Sequence, residues 1–182
     1  MLFRSAIQRG GLTALTLMAL ILERNTFNNS SNPDAGLGGF AVALVLSGLG
    51  ITMGAIITPP ATRYIDRFTW SRSAMVAAAV MPIVFALTLN EITLILMGFL
   101  TGMAGQAVKV TNDAIVQQST SDIYRGRVFA VYDVVVNAAI VSGALLCAAF
   151  LPTSGLSRSV PFGIALVYLF AALILMNKRI FK

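Results

Sequence analysis

The side chains best suited to chemistry lie in one part of the chain, between residues 113 and 133. Asp113 and Gln117 come first, Arg125 and Arg127 follow, and Asp133 then stands inside a long apolar run. Carboxylates and guanidinium groups form charge-assisted hydrogen bonds, and an acid within an apolar run needs a partner or water. The pattern therefore predicts a charge network rather than a site that makes or breaks covalent bonds.

The residue types needed for most covalent and metal chemistry are missing. The chain has no histidine, and Cys147, set among leucines and alanines, is its only cysteine. This excludes disulfide frameworks, His/Cys metal sites, Ser–His–Asp triads and Cys–His dyads, and we interpret Cys147 as a small buried apolar residue. Asp113 and Asp133 are too far apart in sequence to argue for a pair of catalytic acids. We therefore predict that the chain is not an enzyme and needs no cofactor and no metal.

The composition indicates what surrounds these residues. Of the 182 residues, 57% are hydrophobic and only 11% are charged, whereas soluble domains have about 25% charged residues. So few polar groups cannot cover a surface in water, and most of the surface must face a lipid bilayer. The formal net charge is +6, but the basic residues are not interleaved with aromatic ones, and we predict no nucleic-acid partner.

The charged residues divide the chain into six apolar segments, and all but the first are near or above the ~20 residues that a helix needs to cross a bilayer. Helices satisfy their own backbone hydrogen bonds, and the alternation typical of barrel strands is absent. We therefore predict an all-α membrane protein, a single domain over residues 1–182 formed by a bundle of six transmembrane helices. The predicted helices span about residues 3–22, 36–60, 72–90, 92–112, 126–151 and 159–177.

The first segment has two interpretations. Its basic start and short apolar middle are also the form of a signal peptide. However, Glu23 and Arg24 follow the apolar run directly, and no small-x-small cleavage site precedes them. We favour a transmembrane helix that starts near Phe3 and carries Arg9, which would extend to the interface or face a polar interior.

The distribution of Lys and Arg supports this topology. With six helices both chain ends lie on one side, and all Lys and Arg residues except Arg24 and Arg158 fall on that side. Cytoplasmic loops are enriched in Lys and Arg. We therefore predict a multi-pass protein of the cell membrane with both termini in the cytoplasm.

Small and polar residues within the segments indicate where helices meet. Gly50 and Gly54 form one GxxxG pattern, and Gly98 and Gly102 form another. They predict close helix packing, because glycine lets two backbones approach. The contacts are either static or allow one helix to move against the next. Two further polar residues are possible lining residues of a cavity: Asn137 and Gln106.

The charges near the start of the fifth segment also have two interpretations. Asp133 comes six residues after Arg127, so the two side chains do not meet on one straight helix. We expect Asp133 to pair with another helix or loop, for example through Arg63 or Arg67. The alternative is a set of ordinary interfacial charges that follow the positive-inside rule.

The stretch NDAIVQQSTSDIYRGRVFAVYDVVVNAAIVSGALL resembles the region around the tenth and eleventh helices of the major facilitator superfamily, and is closest to bacterial exporters of the drug and siderophore type. The resemblance rests on a pattern of D-x-x-x-Q, then RGR-V-F, then Y-D and an asparagine. The matching positions are Asp113, Gln117, Arg125, Gly126, Arg127, Val128, Phe129, Tyr132, Asp133 and Asn137.

Two further stretches resemble the same group. They are RNTF at Arg24 to Phe27 and GAIITPPATRYIDR at Gly54 to Arg67. The second resembles a degenerate copy of the family's G-x-x-x-D-R-x-G-R-R loop, in which Asp66 and Arg67 keep the D-R pair and Thr69 replaces the next glycine.

This resemblance implies the second half of a fold with twelve helices in two bundles of six. The substrate path of such a fold lies between the bundles, which rock against each other in alternating access. The chain would therefore need a second six-helix bundle, from another polypeptide or from a copy of itself. A truncated remnant and one piece of a longer chain also fit.

The resemblance implies a secondary transporter that exports small organic compounds and closes a gate at its cytoplasmic side. No phosphate-binding G-x-x-x-x-G-K-[ST] loop is present, so an ion gradient would supply the energy, with Asp113, Asp133 or Glu91 as the candidates for proton coupling. The alternative is a non-transporting remnant or a structural membrane subunit. The residues assigned to the gate network are Asp113, Gln117, Arg125, Arg127, Asp133, Arg63, Asp66 and Arg67.

Overall fold

The computed structural model describes residues 2–28 and 33–174, apart from the side chains at positions 2, 3, 33, 122, 125 and 174. Helix α1 spans Leu2–Leu22 and continues as a π-helical turn, Glu23–Phe27. No strand occurs in this part of the chain, and the all-α prediction is confirmed. The remaining helices are α2 at Pro33–Tyr64, α3 at Arg67–Thr88, α4 at Glu91–Ser119, α5 at Asp122–Phe150 and α6 at Ser159–Ile174.

The helices have the lengths and compositions that a bilayer requires. Five helical stretches are long and apolar enough to cross a membrane, and Ser159–Leu173 is a shorter apolar helix. The predicted six-helix membrane bundle is confirmed, although the end of the sixth predicted helix, beyond residue 174, lies outside the described residues. The five long stretches are Arg4–Phe27, Asp34–Tyr64, Arg67–Thr88, Glu91–Ser119 and Gly126–Phe150.

Short polar side chains start two of the helices. Asp66 and Asn90 precede α3 and α4, and their side chains accept hydrogen bonds from the backbone N–H groups of Thr69 (3.2 Å) and Thr93 (2.8 Å). Such caps satisfy backbone donors that have no partner within the helix. Leu89 ends α3 in the left-handed region with a φ of 48°, so the chain reverses at once and α4 packs back against α3.

Helices α1 and α4 are central to the bundle. Helix α4 packs against α2, α3 and α1, whereas α1 packs against α5, α4 and α6, and α3 also packs against α6. Two clusters of buried side chains fill the interior, one around Met75 and Tyr168 and the other around Met18 and Phe85. The principal partner of α2 is α4, and the principal partner of α5 is α1.

Helices α2 and α5 are far less covered than the others. In their most apolar windows only 17% of α2 and 6% of α5 are buried, against 44% to 50% for α1, α3 and α4. Each flanks the bundle and packs mainly on one neighbour. Their remaining surface must therefore face lipid or a further protein surface.

The bundle has two chemically different ends. The end where α1 begins is held together by hydrogen bonds between Asn112 and Ser5 and between Arg67 and Gln118, and we call it the basic end. Its described basic side chains are those of Arg4, Arg9, Arg63, Arg67, Arg72, Lys109 and Arg127. At the opposite end Asn25 and Thr26 donate to the backbone carbonyls of Thr153 and Ser154. Only Arg24 and Arg158 are basic there among the described residues.

Candidate functional site

The contact between α2 and α4 is built on glycine. A Cβ at Gly50 or Gly54 would overlap the carbonyl oxygen of Phe99 or Met103, and one at Gly102 would lie 2.8 Å from the carbonyl oxygen of Ser47. Gly98 differs, because a Cβ there would meet its nearest atoms at an ordinary 3.7 Å. Three of the four glycines singled out in the sequence thus occupy positions where the two backbones touch.

The contact between α1 and α5 uses two further glycines, which lie outside the two GxxxG patterns. A Cβ at Gly10 would lie 2.7 Å from the carbonyl oxygen of Ala139, and one at Gly143 would overlap the carbonyl oxygen of Gly10. Cys147 lies in the same contact, where its thiol donates to the carbonyl oxygen of Ala14 at 3.2 Å. Its burial agrees with the interpretation of Cys147 as a packing residue.

A polar face of α1 is buried inside the bundle, and sequence reasoning missed it. Asn112 donates to the hydroxyl of Ser5 at 2.8 Å, and Gln8 donates to the carbonyl oxygen of Thr101 at 3.3 Å. The hydroxyl of Tyr168 donates to the carbonyl oxygen of Gln8 at 3.0 Å. The spacing of Ser5 and Gln8, three residues apart, places them on one helix face and was the available signal.

Arg4 lies at the start of this face and is only 6% exposed. Its guanidinium carbon lies 5.9 Å from the ring centroid of Phe68, which gives a cation–π contact. The Nη1 atom of Arg4 is buried without a hydrogen-bond partner within the described part of the chain. A further polar group is therefore expected to approach the basic end of α1.

The structure brings part of the predicted gate network together between α3 and α4. Arg67 donates to the side-chain oxygen of Gln118, and Lys109 and Asp113 form an ion pair of 3.7 Å one turn apart on α4. Asp66 caps α3. Gln117 is exposed beside Gln118 at the same end of α4.

The rest of the predicted network stays apart. Asp133 is exposed on α5 and forms no ion pair with Arg63 or Arg67, and Lys109–Asp113 is the one ion pair among the side chains that the structure describes. The expected contact fails because α5 packs on α1, whereas Arg63 and Arg67 stand at α2 and α3. Arg127 is exposed, and the side chain of Arg125 lies outside the described residues.

One side of α1 is neither buried nor apolar. Arg9, Thr13 and Thr16 are half-buried, and their spacing of four and three residues puts them on one helix face. The two threonine hydroxyls donate to backbone carbonyls of their own helix, at 2.9 and 2.8 Å. This face carries a cation and two hydroxyls within a stretch long enough to span a membrane.

Helix α5 adds two polar groups beside that face. Asp133 and Asn137 are both exposed, and the side-chain nitrogen of Asn137 donates to the carbonyl oxygen of Asp133 at 2.8 Å. At 100° per residue they lie on the side of the α1–α5 contact that carries Arg9 and Thr13. We call these four residues, together with Thr16, the open face.

Gln106 lies away from the open face. Gln106 is half-buried on α4, and its Cβ atom would lie 3.1 Å from a Cβ atom added at Gly54. The two predicted cavity-lining residues therefore stand on different helices and in different surroundings.

A groove of about 630 Å³ lies on the other side of the α1–α5 contact, between α5 and α6. Its lining is small or apolar, with Gly11 and Ala14 on α1, Ala139 and Leu146 on α5 and Gly163 on α6 among the residues that form it. No charged side chain contributes to the lining. The groove offers a surface for hydrocarbon, whereas the open face offers one for polar groups.

The opposite end of the bundle holds a second site that the sequence interpretation missed. Glu23 is fully buried in the π-helical turn, although it follows an apolar run like an ordinary loop residue. Among the described residues no cluster of three or more His, Cys, Asp or Glu side chains is placed to hold a metal.

Two curated proteins are similar to this chain. Each is named as an uncharacterised MFS-type transporter, one from Mycobacterium bovis and one from Mycobacterium tuberculosis, and each is 31% identical over 140 residues. The aligned part is 77% of this chain but 31% of each relative, so it spans about a third of the relatives' length. No family model matches the chain, and no solved structure matches it. The predicted resemblance to part of a major facilitator transporter is confirmed.

Proposed function

We propose that this multi-pass membrane chain, related to transporters of the major facilitator type over part of their length, forms one six-helix half of a secondary transporter. In this proposal it moves small organic compounds out of the cell by alternating access, together with a second six-helix bundle. The names of the two relatives support transport in general. The export direction, the compounds and the second bundle belong to the proposal.

The open face is the observation that carries this proposal. Asp133 and Asn137 are exposed within a helical stretch that is long and apolar enough to span a membrane. A charged side chain near the bilayer centre costs about 2.5–3.5 kcal/mol by insertion measurements. Direct contact with lipid is therefore unfavourable, and a water-filled path beside a second bundle removes that cost.

The low coverage of α2 and α5 supports a second bundle on this side. They flank the central helices α1 and α4 and are the two least buried of the long helices. In the two-bundle arrangement substrates bind between the halves. A partner that packs against α2 and α5 would enclose the open face of α1 between them.

The basic end supplies the gate in this proposal. Arg67 with Gln118 and Lys109 with Asp113 tie α3 and α4 together there. Exposed Arg127 and Arg63 remain available to acidic groups of the second bundle. We assign this end to the cytoplasm and the protein to the cell membrane, because basic residues concentrate on cytoplasmic loops.

A non-transporting remnant or a structural subunit is the alternative. Either one keeps the glycine contacts of the bundle. Neither gives a reason for the polar side chains of Arg9, Asp133 and Asn137 on one uncovered face.

Transport in proteoliposomes tests the proposal. The chain is reconstituted alone and with a candidate second bundle, and uptake of a panel of fluorescent organic compounds is followed under an imposed ion gradient. We expect transport that falls at least tenfold in the variant Asn137→Leu. The matched control is Ser142→Leu, an exposed polar position on the groove side of α5, which should keep its rate.

Two outcomes count against the proposal. One is the absence of transport above empty liposomes with every partner. The other is an equal loss of transport in Asn137→Leu and Ser142→Leu, since a substrate path along the open face predicts a difference between them.

A further inference from the structure

We propose that Glu23 is the proton-binding carboxylate of the transport cycle. It holds a proton while the end of the bundle opposite to the basic end is closed, and it exchanges that proton with water when that end opens. This inference rests on the proposed transport function and names its coupling site. It replaces the earlier candidates Asp113, Asp133 and Glu91, all of which are half-buried or exposed.

Glu23 lies within the membrane-length stretch Arg4–Phe27 and has no exposed surface. It is the first residue of the π-helical turn Glu23–Phe27. Such turns are rare and occur frequently at functional sites, because the wider turn redirects side chains that a regular helix would point elsewhere. Here the turn directs the Glu23 carboxylate to the face of α2.

The carboxylate has one hydrogen-bond donor and no cation. The side-chain nitrogen of Asn28 donates to its Oε2 atom at 2.9 Å, while the Oε1 atom is buried without a partner. Glu23 forms no ion pair within the described part of the chain. An ionised carboxylate in such a place is costly, and a bound proton removes the charge.

The helices around Glu23 present backbone or negative charge rather than a counter-ion. On α2, a Cβ at Gly39 would overlap the Oε2 atom of Glu23, and one at Gly36 would lie 3.0 Å from its carbonyl oxygen. Glu91, at the start of α4, acts on Glu23 electrostatically and carries the same charge. The other charged side chains of this end are all exposed, namely Arg24, Asp34 and Arg158.

The surroundings suit a proton better than a metal ion. A bound metal cation needs several oxygen ligands, whereas Asn28 turns its N–H donor toward the carboxylate. No cluster of three or more His, Cys, Asp or Glu side chains includes this position in the described chain.

Two exposed hydrogen bonds tie the same turn to the connection between α5 and α6, and their loss would free the turn to move. Asn25 and Thr26 donate to the carbonyl oxygens of Thr153 and Ser154, each at 2.6 Å, and both hydrogen bonds are exposed. When this connection opens, water reaches Glu23, its O–H bond breaks, the electron pair stays on the carboxylate, and the proton passes to water. Uptake of a proton from water reverses the step.

Isotope editing can isolate this one carboxylate, because Glu23 and Glu91 are the only glutamates in the chain. The variant Glu91→Gln, made by cell-free synthesis with carboxyl-labelled glutamate, carries a labelled side-chain carboxyl group at Glu23 alone. We expect the infrared absorption of a protonated carboxylic acid at neutral pH and its conversion to carboxylate in alkaline buffer. The reciprocal variant Glu23→Gln, labelled at Glu91, is the control, and the protonated signal should be absent from it if that signal comes from Glu23.

A labelled Glu23 that is ionised at neutral pH overturns the proposal. The measurement needs no substrate, so it succeeds or fails separately from the proposed function. In proteoliposomes a proton gradient should stimulate the wild type and not Glu23→Gln. If the infrared result holds and stimulation is equal in both, Glu23 binds a proton but plays no part in coupling, which also overturns the proposal.

Discussion

Asn112 shows what a single buried amide does in this bundle. It has no exposed surface, and its side-chain nitrogen has the hydroxyl of Ser5 as a hydrogen-bond acceptor at 2.8 Å. Water cannot replace that acceptor within a packed interior, so the amide depends on its neighbour on α1. This bond joins the start of α1 to the basic end of α4.

Removing the acceptor should therefore destabilise the protein measurably. We predict that Ser5→Ala lowers the free energy of unfolding by about 1 kcal/mol, the typical value of one intramolecular hydrogen bond. Thermal unfolding in detergent measures the change. Ser142→Ala is the control, because the Ser142 hydroxyl is exposed and bonds only to its own helix. Equal melting temperatures for the two variants would contradict the prediction.

The sequence did not reveal these buried polar residues, for a physical reason. Polar side chains near the end of an apolar segment are also common at the membrane interface, so Ser5, Gln8 and Glu23 have two equally ordinary explanations. Periodicity shows that Ser5 and Gln8 share a helix face. It does not show which helix covers that face, and the π-helical turn that buries Glu23 leaves no mark in the pattern.

At the scale of helices, the glycine contacts decide how closely α2 and α4 pack. A Cβ at Gly50 would overlap the carbonyl oxygen of Phe99, whereas a Cβ at Gly98 would fit at 3.7 Å. Backbone cannot move aside as a flexible side chain does. Gly50 and Gly98, one from each GxxxG pattern, should thus respond differently to the same substitution.

We predict that Gly50→Ala lowers the free energy of unfolding by about 1–3 kcal/mol, the usual cost of overpacking. Gly98→Ala should change the free energy of unfolding by less than about 0.5 kcal/mol, as substitutions that cause no overpacking usually do. Thermal unfolding of both variants in the same detergent measures the difference. Comparable losses in both would show that Gly98 is as tightly packed as Gly50.

Helix α5 has a polar side, which belongs to the open face, and an apolar side, which lines the groove. Thiol labelling can distinguish the two sides. In a Cys147→Ala background, we predict that Asn137→Cys reacts at least tenfold faster with a water-soluble maleimide than Ser142→Cys. Thiols react as thiolates, which need water, and Ser142 lines the apolar groove. Rates measured on protein in bilayers test this. Equal rates would mean that the open face holds no more water than the groove.

The helices themselves followed from the sequence, because apolar runs of membrane length leave few alternatives. The sequence did not show, however, which helices pack against each other. The expected pairing of Asp133 with Arg63 or Arg67 failed because nothing in the sequence shows that α5 packs on α1. Helix α2 also continues past Pro59 and Pro60 to Tyr64, where the sequence predicted an end near residue 60. The Thr62 hydroxyl donates to the carbonyl oxygen of Pro59 within this continuation.

At the scale of the whole molecule, the two ends of the bundle differ in charge and in chemistry. The basic end carries most of the described basic side chains, and the opposite end carries Glu23 in its buried turn. If the basic end is cytoplasmic, the exposed hydrogen bonds of Asn25 and Thr26, which tie the π-helical turn of Glu23 to the connection between α5 and α6, lie at the outer surface. Protons from outside would then reach Glu23 first, as an exporter driven by proton entry requires.

The orientation can be measured with two single cysteines in a Cys147→Ala background. Thr153→Cys stands in the exposed connection between α5 and α6, and Ser119→Cys stands at the exposed end of α4. We predict that an impermeant thiol reagent labels Thr153→Cys in intact cells and labels Ser119→Cys only after the membrane is permeabilised. The reverse pattern would place the basic end outside, against the positive-inside rule. It would then make Glu23 a carboxylate that exchanges protons with the cytoplasm.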